Sequence, residues 1–255
     1  MAEVGGKTLM SDLIIEATDI SLAYRRTRHR VNSLKQTAID TIKRKMQYEE
    51  FYALSKVSLQ LHQGETLAVI GRNGAGKSTF LKVVARVLPP TEGRIIVRGA
   101  VAPMIELGAG FNPELTGAEN IVLYGALLGR PVAEMRSRIE PIAEWANLTE
   151  HLDIPLRAYS SGMLARLAFA TATDKTPDLL LIDEVLSVGD EEFREKSSNR
   201  TEEMMKSGAA VVLVTHDIET VRKMADRVIY LDHGTVRAEG NPEKVIQAYH
   251  DDIHH

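Results

Sequence analysis

The apolar positions of this chain fall into two rhythms. Leu179–Ile182 and Ala209–Val214 are unbroken apolar runs, the pattern of central parallel strands buried on both faces, and the apolar run Leu67–Ile70 reads as a further buried strand. Leu13–Leu22 and Val57–His62 instead alternate, which predicts half-buried strands. Arg94–Gly99 and Val101–Ile105 read as further short strands after the Pro89–Gly93 turn, and Val228–Val236 reads as a hairpin turning at Asp232–Gly234. Between Pro113 and Thr173 the period changes to that of a helix, with segments at Ala118–Leu128, Val132–Ala146 and Met163–Thr173. A helical lobe set into an α/β core is the expected architecture, with Trp145 in the core of that lobe.

One segment fits neither rhythm. From Arg25 to Lys45 the basic residues Arg25, Arg26, Arg28, Arg30, Lys35, Lys43, Arg44 and Lys45 face the single acid Asp40. Val31, Leu34, Ala38, Ile42 and Met46 recur at helical spacing within it, predicting a short amphipathic helix with a basic flank. Two readings stay open for this insertion of about 25–50: a solvated helix on a surface loop, or a surface helix near anionic lipid headgroups or a phosphate-bearing substrate. One domain is expected over about 12–246, followed by a short tail, 247–255; the final His254 and His255 are assigned no function.

Composition narrows the classes. The chain has 255 residues, of which 44% are hydrophobic and 26% charged, enough to bury a sizeable core. A formal net charge of -4 lacks the basic balance of a general nucleic-acid binder. The absence of cysteine excludes disulfides, thiol catalysis and thiolate metal sites. No run approaches the roughly 20 apolar residues of a membrane-spanning helix. The start, Met-Ala-Glu-Val-Gly-Gly-Lys, lacks the apolar centre of a secretory signal, so cytoplasmic retention is expected.

The candidate chemistry begins at Gly71-Arg72-Asn73-Gly74-Ala75-Gly76-Lys77-Ser78-Thr79, a P-loop between an apolar strand and a helical run. Glycines let backbone N–H groups curl around phosphate oxygens, and a helix starts with its positive end toward the anion. Lys77 has the reach for β- and γ-phosphates and Ser78 carries a hydroxyl for Mg²⁺. Asp183 and Glu184 directly follow the Leu179–Ile182 strand, at the edge where open α/β sheets bind ligands. Asp183 suits a Mg²⁺ partner and Glu184 the base that orients an attacking water; the same pair also suits a plain helix start. Ser160, Ser161 and Gly162 precede a helix, as an ordinary N-cap or as a second phosphate-binding helix end. His216, after the strand ending Val214-Thr215, is placed to bond a γ-phosphate or to serve structure alone.

In this order, the P-loop, helical lobe, Tyr159-Ser160-Ser161-Gly162-Met163, Asp183-Glu184, Ser187-Val188-Gly189-Asp190 and His216 resemble the ATP-binding cassette ATPases over nearly the whole chain. The resemblance implies a P-loop ATPase core with a mostly parallel central sheet, an antiparallel β subdomain and an inserted α-helical subdomain. It further implies that Tyr159–Met163 matches the family's Leu-Ser-Gly-Gly-Gln signature with Ser160 and Gly162 retained, and that two copies pack head to tail. Ser160, Ser161 and Gly162 would then serve the partner's ATP, Ser187–Asp190 would cross the dimer interface, and His216 would touch the γ-phosphate. Tyr24 falls where the family places an adenine-stacking aromatic, with Phe51 and Tyr52 as rivals. Where the family carries a glutamine that touches Mg²⁺, this chain has Glu106, a carboxylate able to bind the ion but lacking the amide donor.

The stretch Glu106–Gly117, with Tyr-Ser-Ser-Gly-Met and Asp-Glu-Val-Leu-Ser-Val-Gly-Asp, is most similar to exporters of lipid-linked polysaccharide, O-antigen first, then capsule and teichoic acid. That resemblance implies a homodimer coupled to two copies of an integral-membrane permease at the cytoplasmic face of the bacterial inner membrane, with no nucleic-acid partner. Some such ATPases carry a carbohydrate-binding domain; the end of this sequence soon after Val245–Tyr249 places substrate choice in the permease as an expectation. A DNA-repair cassette would need a long inserted coiled coil, a translation cassette a tandem copy, and a P-loop kinase or GTPase a lid or base-reading motif. None of these patterns stands in the sequence.

Overall fold

The computed structural model describes residues 12–27, 48–105, 107–183 and 190–254. A long antiparallel ribbon opens it: β1 (Leu13–Thr27) and β2 (Tyr48–His62) pair from Leu13 opposite His62 to Thr27 opposite Tyr48. Both strands outrun the predicted segments. The ladder contains four register shifts, and Asp19 and Lys56 take positive φ angles of 48° and 50°. Each bulge resets which face a side chain points to, so the two-residue alternation vanishes from the sequence while the pairing continues. The ends of the predicted basic insertion, Arg25 to Thr27 and Tyr48 to Glu50, are therefore strand. The predicted amphipathic helix, Val31 to Met46, lies outside the described residues, as do Glu106, Glu184 and Ser187–Gly189.

β4 (Glu92–Val97) joins the other edge of β1 to complete a three-stranded antiparallel sheet. The second sheet contains β3 (Thr66–Ile70), β5 (Val101–Met104), β6 (Leu179–Asp183), β7 (Ala210–Val214), β8 (Arg227–Asp232) and β9 (Thr235–Gly240). Its order is β5-β6-β7-β3-β8-β9, parallel except for β9. Every residue of β3 and β7 is buried, as their unbroken apolar character requires once helices cover both faces. The β8–β9 turn has His233 at φ 45° and Gly234 at φ 76°, the doubly left-handed turn that matches strand twist.

Seven α-helices stand among the described residues: α1 (Lys77–Val84), α2 (Gly117–Leu127), α3 (Val132–Ala146), α4 (Ser161–Ala172), α5 (Glu191–Lys206), α6 (Ile218–Met224) and α7 (Pro242–His254). None is long and apolar enough to cross a membrane. On one face Phe80, Leu81, Val83 and Val84 of α1 pack with Leu67, Leu181 and Val212, and the β1–β2 ribbon closes the same core. On the other, Phe169, Phe193 and Met204 cover Leu180, Ile182 and Leu213, while Val221, Val245 and Ile246 cover Ala68 and Val228. The segment expected as a tail belongs to α7, where Tyr249 meets Tyr230 edge to face at 5.2 Å.

The helical lobe forms as predicted from α2, α3 and the start of α4, around Ile121, Met135, Ile142 and Leu167. Trp145 has a wider role than lobe core. It stacks on Phe169 at 5.5 Å and meets Phe193 of α5 edge to face, with Lys196 and Arg200 4.8 and 4.6 Å from its ring centre. The ring thus fastens the lobe to the helix that follows β6. The apolar pattern does not mark α5, because its buried face is Phe193, Ser197, Thr201 and Met204. The two hydroxyls in that stripe are satisfied by the carbonyls of Arg194 and Ser197 within the helix itself.

Candidate nucleotide site

Strand β3 delivers the chain to its C-terminal edge at Ile70, and the P-loop turns there into α1. Gly71 has φ 152°, and a Cβ on it would stand 2.2 Å from the Leu231 carbonyl oxygen. Gly76 is the left-handed N-cap of α1, and a Cβ there would stand 2.5 Å from the Ala53 carbonyl oxygen. Any side chain at either position would push the loop off the β8 end or off β2. Gly76 supplies no capping side chain, so the first N–H groups of α1 stay directed outward with the positive end of the helix dipole. Arg72, Asn73, Gly74 and Ser78 are exposed around that opening, Gly76, Lys77 and Thr79 are half-buried, and Ala75 is buried.

Lys77 bends back over the loop. Its ammonium donates to the Gly71 carbonyl at 2.7 Å and the Arg72 carbonyl at 3.1 Å. Burial pushes its pKa below the ordinary lysine value and the negative charge of Asp183 works against that shift. The interaction places the carboxylate of β6 in the field of the P-loop lysine, two strands away in the sheet.

Register explains how. Asp183 of β6 pairs with Val214 of β7, and Val214 pairs with Val69 of β3. One row across three parallel strands therefore brings Asp183, the residues just before His216, and the base of the P-loop to the same edge. His216 is exposed there, just past buried Thr215, whose hydroxyl accepts from the Asp217 N–H at 3.0 Å. Asp217 caps α6; the Thr220 hydroxyl bond holds its carboxylate below the ordinary range. A cleft of about 620 Å³ bordered by Asp183, His216, Ser198, Glu202 and Lys223 opens between α5 and α6 beside this edge.

The residues at this edge fit Mg²⁺ held jointly with phosphate. Asp183 and the exposed Ser78 hydroxyl are hard oxygen donors, and no group of three or more His, Asp or Glu suited to a metal exists among the described residues. Among the described residues no protein-only cage is formed, and one or two side-chain oxygens completed by substrate phosphates is how Mg²⁺ is ordinarily bound.

Ser160 stands elsewhere, on the helical lobe. Its hydroxyl caps α4 by accepting from the Met163 N–H at 3.2 Å, and Ser160 and Ser161 are exposed. Among the described residues, no hydrogen bond joins Ser160, Ser161 or Gly162 to the P-loop. Tyr24 pairs with Phe51, Leu22 with Leu54, and Ala23 with Tyr52. Tyr24 and Phe51 thus share the ribbon face of Leu54, whose side chain lies against Gly76. Tyr52 points to the opposite face, where its hydroxyl reaches Glu92 at 3.5 Å.

The sequence pattern does not disclose one part of the site. Gly234 of the β8–β9 turn donates its N–H to the Ala75 carbonyl, and its own carbonyl accepts from Ser55. The turn itself is legible as a hairpin; its grip on the P-loop is a tertiary contact with no local signature.

A profile of the ABC transporter family matches residues 54–187. Over 200 residues the chain is 46% identical to the O-antigen export system ATP-binding protein RfbB of Klebsiella pneumoniae, covering 78% of this chain and 81% of that protein. The chain belongs to the ABC transporter family. Within that family it is an ATPase cassette. It is also 43% identical over 201 residues to the RfbB protein of Myxococcus xanthus, covering 79% of this chain but only 46% of that longer protein. The teichoic acids export ATP-binding protein TagH of Shouchella clausii is 38% identical over 236 residues, 92% of this chain and 65% of its own length. Among solved structures, an ATP-binding subunit of an ABC transporter superposes with TM-score 0.69 at 25% identity, covering 93% of both chains. A dimeric ATP-binding cassette bound to ADP and Pi shares the fold with TM-score 0.68 at 24% identity, covering 90% of this chain and 99% of that one.

Proposed function

We propose that this ABC transporter cassette is the ATP-hydrolysing subunit of an exporter of lipid-linked polysaccharide, with O-antigen as cargo. It acts as a homodimer at the cytoplasmic face of the bacterial inner membrane, joined to two copies of an integral-membrane permease. The carrying observation is that one chain holds two separate helix ends suited to phosphate: that of α1 beside Asp183, and that of α4 at Ser160 on the helical lobe. Each is half of a nucleotide site, and head-to-tail pairing makes both whole.

In the closed dimer the P-loop amides and Lys77 hold the phosphates of ATP, Tyr24 stacks on adenine, and Ser160, Ser161 and Gly162 of the partner complete the cover. Ser78 and Asp183 hold Mg²⁺, with Glu106 as a further oxygen donor, and the ion neutralises phosphate charge when bound. Glu184 orients a water whose oxygen attacks the γ-phosphorus as the bond to the ADP oxygen breaks, and His216 bonds the γ-phosphate oxygens. Loss of the bridging γ-phosphate lets the halves part. A groove of about 690 Å³ between the end of α1, β5 and the end of α2 carries exposed Val87 and Leu127 at its mouth, which supports docking of an apolar permease segment. The similarity to the TagH protein across 92% of the chain supports teichoic acid as the second cargo reading.

The test is Glu184→Gln with Mg-ATP. Turnover should fall by at least about a hundredfold while sedimentation velocity reports a stable dimer; a chain that remains monomeric would contradict the shared-site reading.

A further inference from the structure

The residue just before Ser160 is buried in an otherwise exposed stretch. Arg157, Ala158, Ser160 and Ser161 face solvent, whereas Tyr159 is 7% exposed. Its side chain turns back into the lobe. The hydroxyl donates to the His151 carbonyl at 2.5 Å, and the ring meets the His151 ring edge to face at 6.3 Å.

The hydroxyl has a pocket made for it. A Cβ on Gly117, the first residue of α2, would stand 2.3 Å from the Tyr159 oxygen and 3.4 Å from the Leu152 Cα. Gly117 does not have the positive φ that would otherwise account for a glycine; what it provides is room. Around it the chain is held on both sides. Gly117 donates to the Ile154 carbonyl, Ala118 to that of Leu152, Leu156 to that of Leu115 and Arg157 to that of Pro113. Beneath this lies Asn120, fully buried, its amide donating to the carbonyls of Asn112, Leu115 and Thr116 and its oxygen accepting from the Asn112 N–H. Thr116 and Glu119 close a reciprocal capping box on the same end of α2. Tyr159 is thus the last side chain tied to this platform before the chain reaches Ser160.

We propose that Tyr159 is a positioning residue for ATP-driven closure: its hydroxyl bond to the His151 carbonyl, in the space left by Gly117, fixes where Ser160–Gly162 meets the partner's nucleotide. The inference rests on the reading that these residues close the partner's site. Burial, with the Asp153 charge added, holds the Tyr159 phenol above its ordinary pKa, so the group remains a donor throughout the physiological range. Tyr159 touches no nucleotide in this scheme; it acts through Ser160.

The experiment uses the full chain in the Glu184→Gln background, with three readouts: dimerisation against Mg-ATP concentration, binding of a fluorescent ATP analogue to the monomer, and thermal melting. Tyr159→Phe should raise the ATP concentration for half-dimerisation by about three- to tenfold, the equivalent of one hydrogen bond, with monomer binding unchanged within about twofold. Tyr159→Phe combined with Gly117→Ala refills the vacated space with a methyl group. It should still dimerise poorly, because the space is filled and the bond is not restored; the new methyl also stands 3.3 Å from the retained ring carbon Cζ, so the melting curve reports whether the ring can give way. An unchanged dimerisation midpoint in Tyr159→Phe overturns the proposal, and so does full recovery of dimerisation in the double variant, or a parallel loss of monomer binding. Ser160→Arg separates the two levels. If it leaves the dimer intact, the shared-site reading itself fails; if it abolishes the dimer while Tyr159→Phe does nothing, only the role given to Tyr159 fails.

Discussion

The backbone N–H of Gly234 donates to the carbonyl of Ala75 at 2.9 Å, tying the β8–β9 turn to the nucleotide loop. The Gly234 carbonyl in turn accepts from Ser55 of β2 at 2.8 Å. Three segments far apart in sequence therefore meet at one glycine whose φ is 76° and whose absent Cβ would stand 2.6 Å from the Ala53 carbonyl oxygen. Gly234→Ala is expected to lower stability by about 1–3 kcal/mol through left-handed strain and this clash. It should also weaken ATP-analogue binding more than an equally destabilising core substitution such as Val221→Ala. Melting curves and nucleotide titration on the two variants check this, and equal nucleotide affinities would show that the turn does not hold the loop.

Asp174, just after α4, accepts from Arg138 at 2.6 Å and Arg130 at 2.8 Å with its side chain only 5% exposed. Burial alone would push its carboxyl upward; hydrogen bonds from Arg138 and Arg130 and their charges outweigh it and hold the pKa below the ordinary value. A folded-state value below the unfolded one, about 3.9, means the stabilisation is complete above roughly pH 4 and is lost as pH falls through the folded value. Asp174→Asn should therefore destabilise the lobe by about 2–4 kcal/mol at neutral pH, removing the carboxylate that both guanidinium groups share while Arg130 keeps Glu134 at 2.8 Å. Urea unfolding of both proteins at pH 7 and near pH 3 should show that gap narrowing in acid, and a gap that stays constant would refute the charge origin.

The ribbon register separates the three aromatic rivals. Tyr24 and Phe51 share the face that carries Leu54 against the P-loop, and Tyr52 lies on the other with Glu92. The Glu92 charge, ahead of partial burial, raises the Tyr52 phenol above its ordinary pKa. Tyr24→Ala is expected to weaken ATP-analogue binding by about 1–3 kcal/mol, the worth of a base–aromatic stack, with Tyr52→Ala within about twofold of the parent. Fluorescence titration of the two variants decides, and the reverse order of effects would reassign the adenine contact.

Legibility followed the range of the interaction. The P-loop, Asp183 and the strands around them could be read directly, since glycines at a tight turn, a lysine in reach of phosphate and unbroken apolar runs are local requirements of their own conformations. The outer ends of β1 and β2 could not, because the register shift between Leu22 and Ala23 and the bulge at Lys56 break the alternation where the predicted segments stop. Helix α5 was hidden for a different reason: Ser197 and Thr201 occupy its buried stripe and satisfy their hydroxyls internally.

The amino-acid order alone determined the nucleotide loop, the sequence of motifs and the presence of a helical lobe, since each depends on residues within a few positions of one another. Tertiary structure alone decided that Asp183 acts on Lys77 across two strands, that Trp145 ties the lobe to α5, that Tyr159 bonds the His151 carbonyl just before Ser160, and that Gly234 bonds the P-loop. Those relationships come from sheet register and from space left between distant segments, quantities that no local pattern of side chains encodes.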